Sequence, residues 1–100
     1  MSQPTSVAFS PDGVFAYVTI AGSSKVSVIN TANHSVVGNP IAVGTYPVSV
    51  AFSPNGVFAY VANFLSDSIS VINTTDHTVI GNSIDVGMYP TSVGFGLRKF

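Results

Sequence analysis

The chain repeats itself with a period of 43 residues. Residues 4–46 and 47–89 align without a gap, and 27 of the 43 aligned positions are identical. The opening of the repeat, PTSVAF at residues 4–9, returns a third time as PTSVGF at residues 90–95. A unit of this length is typical of arrays in which each repeat is one small antiparallel sheet. The repeat therefore constrains the fold strongly and the activity very little.

Each repeat contains four stretches rich in β-branched and aromatic residues, separated by turn signals, which predicts four antiparallel strands. The second stretch, Phe15-Ala16-Tyr17-Val18, is apolar on both faces of a strand, so both faces must be covered. We therefore predict an all-β chain of β-propeller blades, each a four-stranded antiparallel sheet. The predicted strands are residues 5–10, 14–20, 25–30 and 35–43, and then 48–53, 57–63, 68–73 and 78–86.

Composition excludes several classes of function. Charged residues make up 7% of the chain and the net charge is −1, so no basic stripe is present to bind nucleic acid. A polybasic membrane patch is equally absent, and no apolar run reaches the roughly 18 residues of a membrane span. The chain has no cysteine, which removes disulfides and Cys-ligated metals. The residues as given also carry no signal peptide.

Several motifs carry a resemblance to a known family. VAFSPDG at residues 7–13 and VAFSPNG at residues 50–56 are followed by YVT at residues 17–19 and YVAN at residues 60–63, and then by VSVINT at residues 26–31 and SVINT at residues 70–74. Over residues 4–95 the chain resembles the YVTN β-propeller repeat family. It departs from the family pattern at Ile20, which replaces an Asn and so loses one turn-stabilising amide, and at residues 96–99, which replace a turn.

The resemblance implies a surface or secreted repeat protein, and hence an extracellular or cell-surface location. Members of the family are commonly seven-bladed, and the fold is shared with lactonases, lyases and redox proteins. Fold alone does not transfer any of those activities to this chain.

Two blades do not close a ring. We expect blade one at about residues 4–46, blade two at about 47–89, and the first strand of a third repeat within 90–100. A blade at the end of an open array exposes apolar side chains, each of which forgoes about 1.5 to 3 kcal/mol. The expected partners are therefore further blades or other copies of the chain in a homo-oligomer. The alternative is a fragment whose missing blades lie on the same polypeptide.

Catalytic, cofactor and metal sites are not predicted. His34 and His77 occupy the same place in the two repeats, where turn geometry is a better explanation than metal ligation. Asp12 and Asn55 also occupy matched positions, and chemistry that needs a charge would not accept that exchange, whereas a turn would.

One surface is a candidate for interactions. In a propeller, the loops after the second strand and those between blades gather at one face. Two apolar residues of this face, Phe64 and Leu65, replace Ala21 and Gly22 of the first repeat, which suggests contact with a partner or ligand. The candidate surface consists of Lys25, Tyr46, Phe64, Leu65, Ser66, Asp67 and Tyr89.

The sequence thus predicts a non-enzymatic scaffold or a module that binds a protein or small molecule, without a cofactor. The alternative is part of a propeller enzyme, of the lactonase or lyase type, whose catalytic residues lie on blades outside these residues.

Overall fold

The computed structural model describes residues 3–81 and 83–85. It contains two antiparallel sheets, one in each repeat. The predicted all-β fold of four-stranded blades is confirmed. The third copy of the first strand, at residues 90–95, lies outside the described residues. Blade one contains β1 (Pro4–Phe9), β2 (Phe15–Ile20), a 3₁₀ turn (Ala21–Ser23), β3 (Lys25–Asn30), β4 (Ser35–Val36) and β5 (Ile41–Ala42). Blade two contains β6 (Pro47–Phe52), β7 (Phe58–Asn63), β8 (Ser68–Asn73), β9 (Thr78–Val79) and β10 (Ile84–Asp85).

The fourth strand differs from its prediction, because it is divided into two short pieces that both pair with the third strand. Gly38 has a φ of +62°, which a regular strand does not contain, and Pro40 has no N–H to donate. Val37 still donates its N–H to the carbonyl oxygen of Val28. Blade two repeats the break, with Gly81 at a φ of +59°. The outer strand of each blade is therefore interrupted by its own sequence.

The hydrophobic core lies between the two sheets. Strands β1 and β6 run side by side, and the hydroxyl of Thr5 donates to the carbonyl oxygen of Pro47 at 2.9 Å. We call the side of a blade that meets the next blade its trailing face, and the opposite side its leading face. The trailing face of blade one comprises Phe15, Tyr17, Val26, Val28 and Ile41. The leading face of blade two comprises Val50, Phe52, Ala59, Val61 and Ile72.

The same two kinds of face are open at the ends of the pair. Val50 is 5% exposed at the junction, whereas its counterpart Val7, on the leading face of blade one, is 54% exposed. Ile41 is 8% exposed at the junction, whereas its counterpart Ile84, on the trailing face of blade two, is 49% exposed. Because the side chains in each pair are identical, the difference in exposure arises from their surroundings. The two-blade unit therefore ends in two apolar faces of the kind that it buries internally.

Candidate functional site

The connector between the blades contacts the loop that follows β7. Tyr46 adopts a left-handed φ of +58°, and its carbonyl oxygen accepts a hydrogen bond from the N–H of Phe64 at 3.0 Å. The N–H of Leu65 donates to the carbonyl oxygen of Thr45 at 3.2 Å. The rings of Tyr46 and Phe64 lie 6.3 Å apart. Three predicted surface residues, Tyr46, Phe64 and Leu65, are thus brought together at the blade junction.

A network of serine hydroxyls lies next to this loop. Asn63, at the end of β7, is fully buried and donates from Nδ2 to Oγ of Ser68 at 3.2 Å and of Ser70 at 2.9 Å. Oγ of Ser66 forms a hydrogen bond with Oγ of Ser68 at 2.9 Å and accepts one from the N–H of Thr45 at 3.1 Å. Oδ1 of Asn63 is buried and has no hydrogen-bond partner among the described residues. The network ties the connector to blade two through uncharged groups.

Gly44 is the point of closest approach between the connector and this network. Its N–H donates to Oγ of Ser70 at 3.3 Å. A Cβ at this position would lie 2.6 Å from Nδ2 of Asn63 and 2.7 Å from Oγ of Ser66. Since real Cβ contacts are longer than this, the connector requires glycine here. The glycine thus lets the connector pass directly against the end of β7.

The sequence had suggested only that the Asn missing at position 20 stabilises a turn. In blade two the corresponding Asn63 instead holds the connector against the sheet. Blade one has Ile20 in place of Asn63 and Lys25 in place of Ser68, so it cannot form the same set of hydrogen bonds. The only sequence signal for this role is that YVAN has an Asn and that Gly44 lies shortly before the next repeat.

The candidate residues differ in exposure and in the blade that carries them. Leu65 and Tyr46 are 56% and 36% exposed, and Ser66 is also exposed. Asp67 is half-buried in a left-handed conformation, with a φ of +51°. Lys25 belongs to blade one, where it pairs with Ile20 and Ala42. Tyr89 lies outside the described residues. A binding role for this surface stays a prediction.

The two histidines occupy identical left-handed turns, in agreement with their interpretation as turn residues. His34 and His77 have φ values of +58° and +60°, and each donates its N–H to the carbonyl oxygen of the residue four positions earlier, at 2.8 Å. The side chain of His77 also crosses the blade junction, where Nδ1 lies 2.6 Å from the hydroxyl of Tyr17. Sequence reasoning missed this contact, because it joins residues from different repeats.

Asp12 and Asn55 make equivalent turn contacts. Oδ1 of each accepts a hydrogen bond from a serine hydroxyl two residues earlier, at 2.6 and 2.7 Å, and from the N–H two residues later, at 3.0 Å. The hydrogen bond from Ser10, together with that from the N–H of Val14, lowers the pKa of Asp12 below its usual value. Acid and amide are interchangeable here because each side chain acts only as a hydrogen-bond acceptor.

Within residues 3–81 and 83–85, no group of three or more His, Cys, Asp or Glu side chains is placed to hold a metal ion. No helix in the same part is long and apolar enough to cross a membrane.

Comparison with known proteins relates the chain to β-propellers. No protein-family model and no curated protein sequence matches it. Among solved structures, it is similar to hydrazine synthase of Kuenenia stuttgartiensis, with 31% identity over 89% of this chain and a TM-score of 0.84. It is also similar to a periplasmic gluconolactonase of Pseudomonas aeruginosa, with 26% identity over 89% of this chain and a TM-score of 0.69.

A third similar structure, the WD40 repeats of RRP9, has 10% identity over 89% of this chain and a TM-score of 0.76, and it supports the fold alone. The chain spans 25%, 28% and 28% of the lengths of these three structures. It thus corresponds to about a quarter of each. The β-propeller fold is therefore established for the described blades.

The comparisons correct one prediction of the sequence analysis. The chain was expected not to be an enzyme, because its repeats are nearly identical, its charge is low and no catalytic cluster is visible. That expectation is wrong, because the similar structures include enzymes, hydrazine synthase and a gluconolactonase, at 31% and 26% identity. Near-identical blades with few charges are compatible with a place in an enzyme.

Proposed function

We propose that this chain supplies two consecutive blades of a β-propeller ring, of the YVTN repeat type, whose further blades cover its two open faces. The observation that carries this proposal is the difference in exposure between matched residues. Val7 and Ile84 are exposed at the ends, while their counterparts Val50 and Ile41 are buried at the junction. Burial of apolar area is the main favourable term in such packing, so the open faces favour further blades.

The ring would present the loop around Phe64 and Leu65 at one face, as a site for a ligand or protein partner. An exposed leucine beside two aromatic rings suits an apolar group. The adjoining serine and asparagine side chains offer uncharged hydrogen-bonding groups. This surface thus suits a neutral, partly apolar ligand better than a charged one.

A pair of matched substitutions tests the proposed ring. Phe52 packs against the ring of Tyr17, with centroids 4.7 Å apart, whereas its counterpart Phe9 is 63% exposed. We expect Phe52→Ala to lower the free energy of unfolding by about 3 kcal/mol and Phe9→Ala to change it by less than about 0.5 kcal/mol. Denaturant unfolding of the two variants measures the difference. Equal costs would mean that the face carrying Phe9 is not an open blade face.

A second candidate function is a place in a propeller enzyme, and the similarity to the gluconolactonase favours it. In this case the described blades would frame the active site and the reacting groups would lie on other blades. The test is hydrolysis of gluconolactone by a complete ring that contains this chain. Hydrolysis above the uncatalysed rate, with a raised KM in Leu65→Ser, supports the candidate. A rate equal to the uncatalysed one contradicts it.

A further inference from the structure

The turn between β6 and β7 contains an asparagine followed directly by a glycine. Asn55 is exposed and precedes Gly56, and none of the other six asparagines of the chain precedes a glycine. Asparagine is a chemically labile residue, and a following glycine makes it more so, because no side chain shields the main-chain nitrogen that attacks the side-chain amide. Gly56 has a φ of +76°, so the turn itself requires glycine at this position.

This turn directs two hydrogen-bond donors at Oδ1 of Asn55. The hydroxyl of Ser53 donates to it at 2.7 Å and the N–H of Val57 at 3.0 Å. Oγ of Ser53 accepts the N–H of Phe58 at 3.1 Å, and Ser53 is buried, so the hydroxyl donor is held in place. Attack on Cγ of Asn55 places negative charge on Oδ1, and donors already fixed toward such an oxygen stabilise that charge. The turn therefore assists the loss of its own amide.

Blade one shows what the product of that loss looks like. Asp12 occupies the matched position, and its Oδ1 accepts hydrogen bonds from the hydroxyl of Ser10 at 2.6 Å and from the N–H of Val14 at 3.0 Å. The glycine that follows has a φ of +75°, against +76° in blade two. The same donors lower the pKa of Asp12, which means that they favour the carboxylate. An aspartate in the turn of blade two would therefore keep the conformation that Asn55 has.

We propose that Asn55 deamidates spontaneously in the folded protein, assisted by the Ser53 hydroxyl, and that the turn of blade two thereby acquires the aspartate that blade one carries at Asp12. The main-chain nitrogen of Gly56 loses its proton to solvent and bonds to Cγ of Asn55, and the side-chain nitrogen leaves as ammonia. Water then cleaves the new bond between Cγ and nitrogen, which leaves a carboxylate and an intact main chain. The formal net charge changes from −1 to −2.

One contact controls when this reaction can occur. The N–H of Gly56 donates to the carbonyl oxygen of Ser53 at 2.8 Å, and this bond must open before the nitrogen can react. Hydrogen bonds in exposed turns open locally at a small cost in free energy, without unfolding of the whole chain. Cleavage at the other ring carbonyl gives isoaspartate, which lengthens the main chain by one carbon and cannot restore the bond to Ser53. Aspartate can restore it, so it is the product that the fold retains.

Peptide mass spectrometry of the full chain, incubated at mildly alkaline pH, tests the site. We expect the peptide that contains Asn55 to gain the mass and charge of aspartate, while those that contain Asn33 and Asn73 stay unchanged. Ser53→Ala should slow the reaction about fivefold in the folded chain, because a hydrogen bond to a charged oxygen is stronger than one to a neutral oxygen. In concentrated urea the variant and the unaltered chain should react at the same rate.

Two matched substitutions complete the test. Asp12→Asn places an asparagine before a glycine in the equivalent turn of blade one and should create a second site that reacts at a comparable rate. Asn55→Asp should keep the circular dichroism spectrum and the urea midpoint of the unaltered chain. The inference is overturned if Asn55 keeps its amide in the folded chain while it loses it in urea. It is also overturned if folded Ser53→Ala reacts as fast as the unaltered chain, or if Asn55→Asp unfolds at a lower urea concentration.

Discussion

Tyr17→Ala is expected to lower the free energy of unfolding by about 3–5 kcal/mol, as truncations of a fully buried aromatic ring do. Tyr17 is 0% exposed. It contacts Phe52 and His77 of blade two, and it pairs with Val28 in its own blade. A loss of this size approaches the total stability of many small domains. Denaturant unfolding followed by circular dichroism measures the loss.

Tyr60→Ala is the matched control, since Tyr60 is the same residue at the same place in blade two and is only half-buried. It should cost clearly less than Tyr17→Ala. Tyr17→Phe isolates the bond to His77 and should cost about 1 kcal/mol. If Tyr17→Ala and Tyr60→Ala lower the free energy of unfolding equally, the blade junction does not make the larger contribution to stability.

Gly44→Ala is expected to destabilise the chain by about 1–3 kcal/mol, the range for overpacking a tight site. The added Cβ would lie 2.6 Å from Nδ2 of Asn63 and 2.7 Å from Oγ of Ser66. Because Asn63 is fully buried, it cannot move aside without breaking its bonds to Ser68 and Ser70. Thermal or denaturant unfolding measures the effect, and Thr45→Ala, at the exposed neighbour, is the control.

A second substitution tests the cause of that destabilisation. Asn63→Ala removes the side chain that the new methyl group would strike, so the double variant should be more stable than the sum of the two single effects predicts. The expected coupling is about 1 kcal/mol or more. Strictly additive effects would show that Gly44 matters for its backbone alone and not for its contact with Asn63.

The repeat predicted the fold well because its signals are local and occur twice. Pro-x-Gly turns and apolar second strands are visible in each copy, and the paired exchange of Asp12 and Asn55 already indicated a turn acceptor. The division of the fourth strand was missed, although Gly38 and Pro40 mark it, because the flanking apolar residues resemble one continuous strand.

The contacts at the blade junction were harder to predict from the sequence. Tyr17 and His77 come from different repeats, so their meeting depends on how one sheet packs on the next. The contact between Gly44 and Asn63 likewise depends on the path of the connector. The expectation that the chain is not an enzyme failed for a related reason, since two blades reveal little of a site that a whole ring would form.

The central claim is that the described pair of blades carries an apolar blade face on each side that a further blade would bury. The most direct test joins residues 4–89 head to tail in one, two, three and four copies, so that each Tyr89–Pro4 link reproduces the Tyr46–Pro47 link inside the chain. Urea unfolding gives the free energy for each length. We expect a higher urea midpoint and a greater free energy of unfolding per copy as copies are joined, because every new junction buries residues such as Val7, Phe9 and Ile84. An unchanged midpoint and a constant free energy per copy would contradict it.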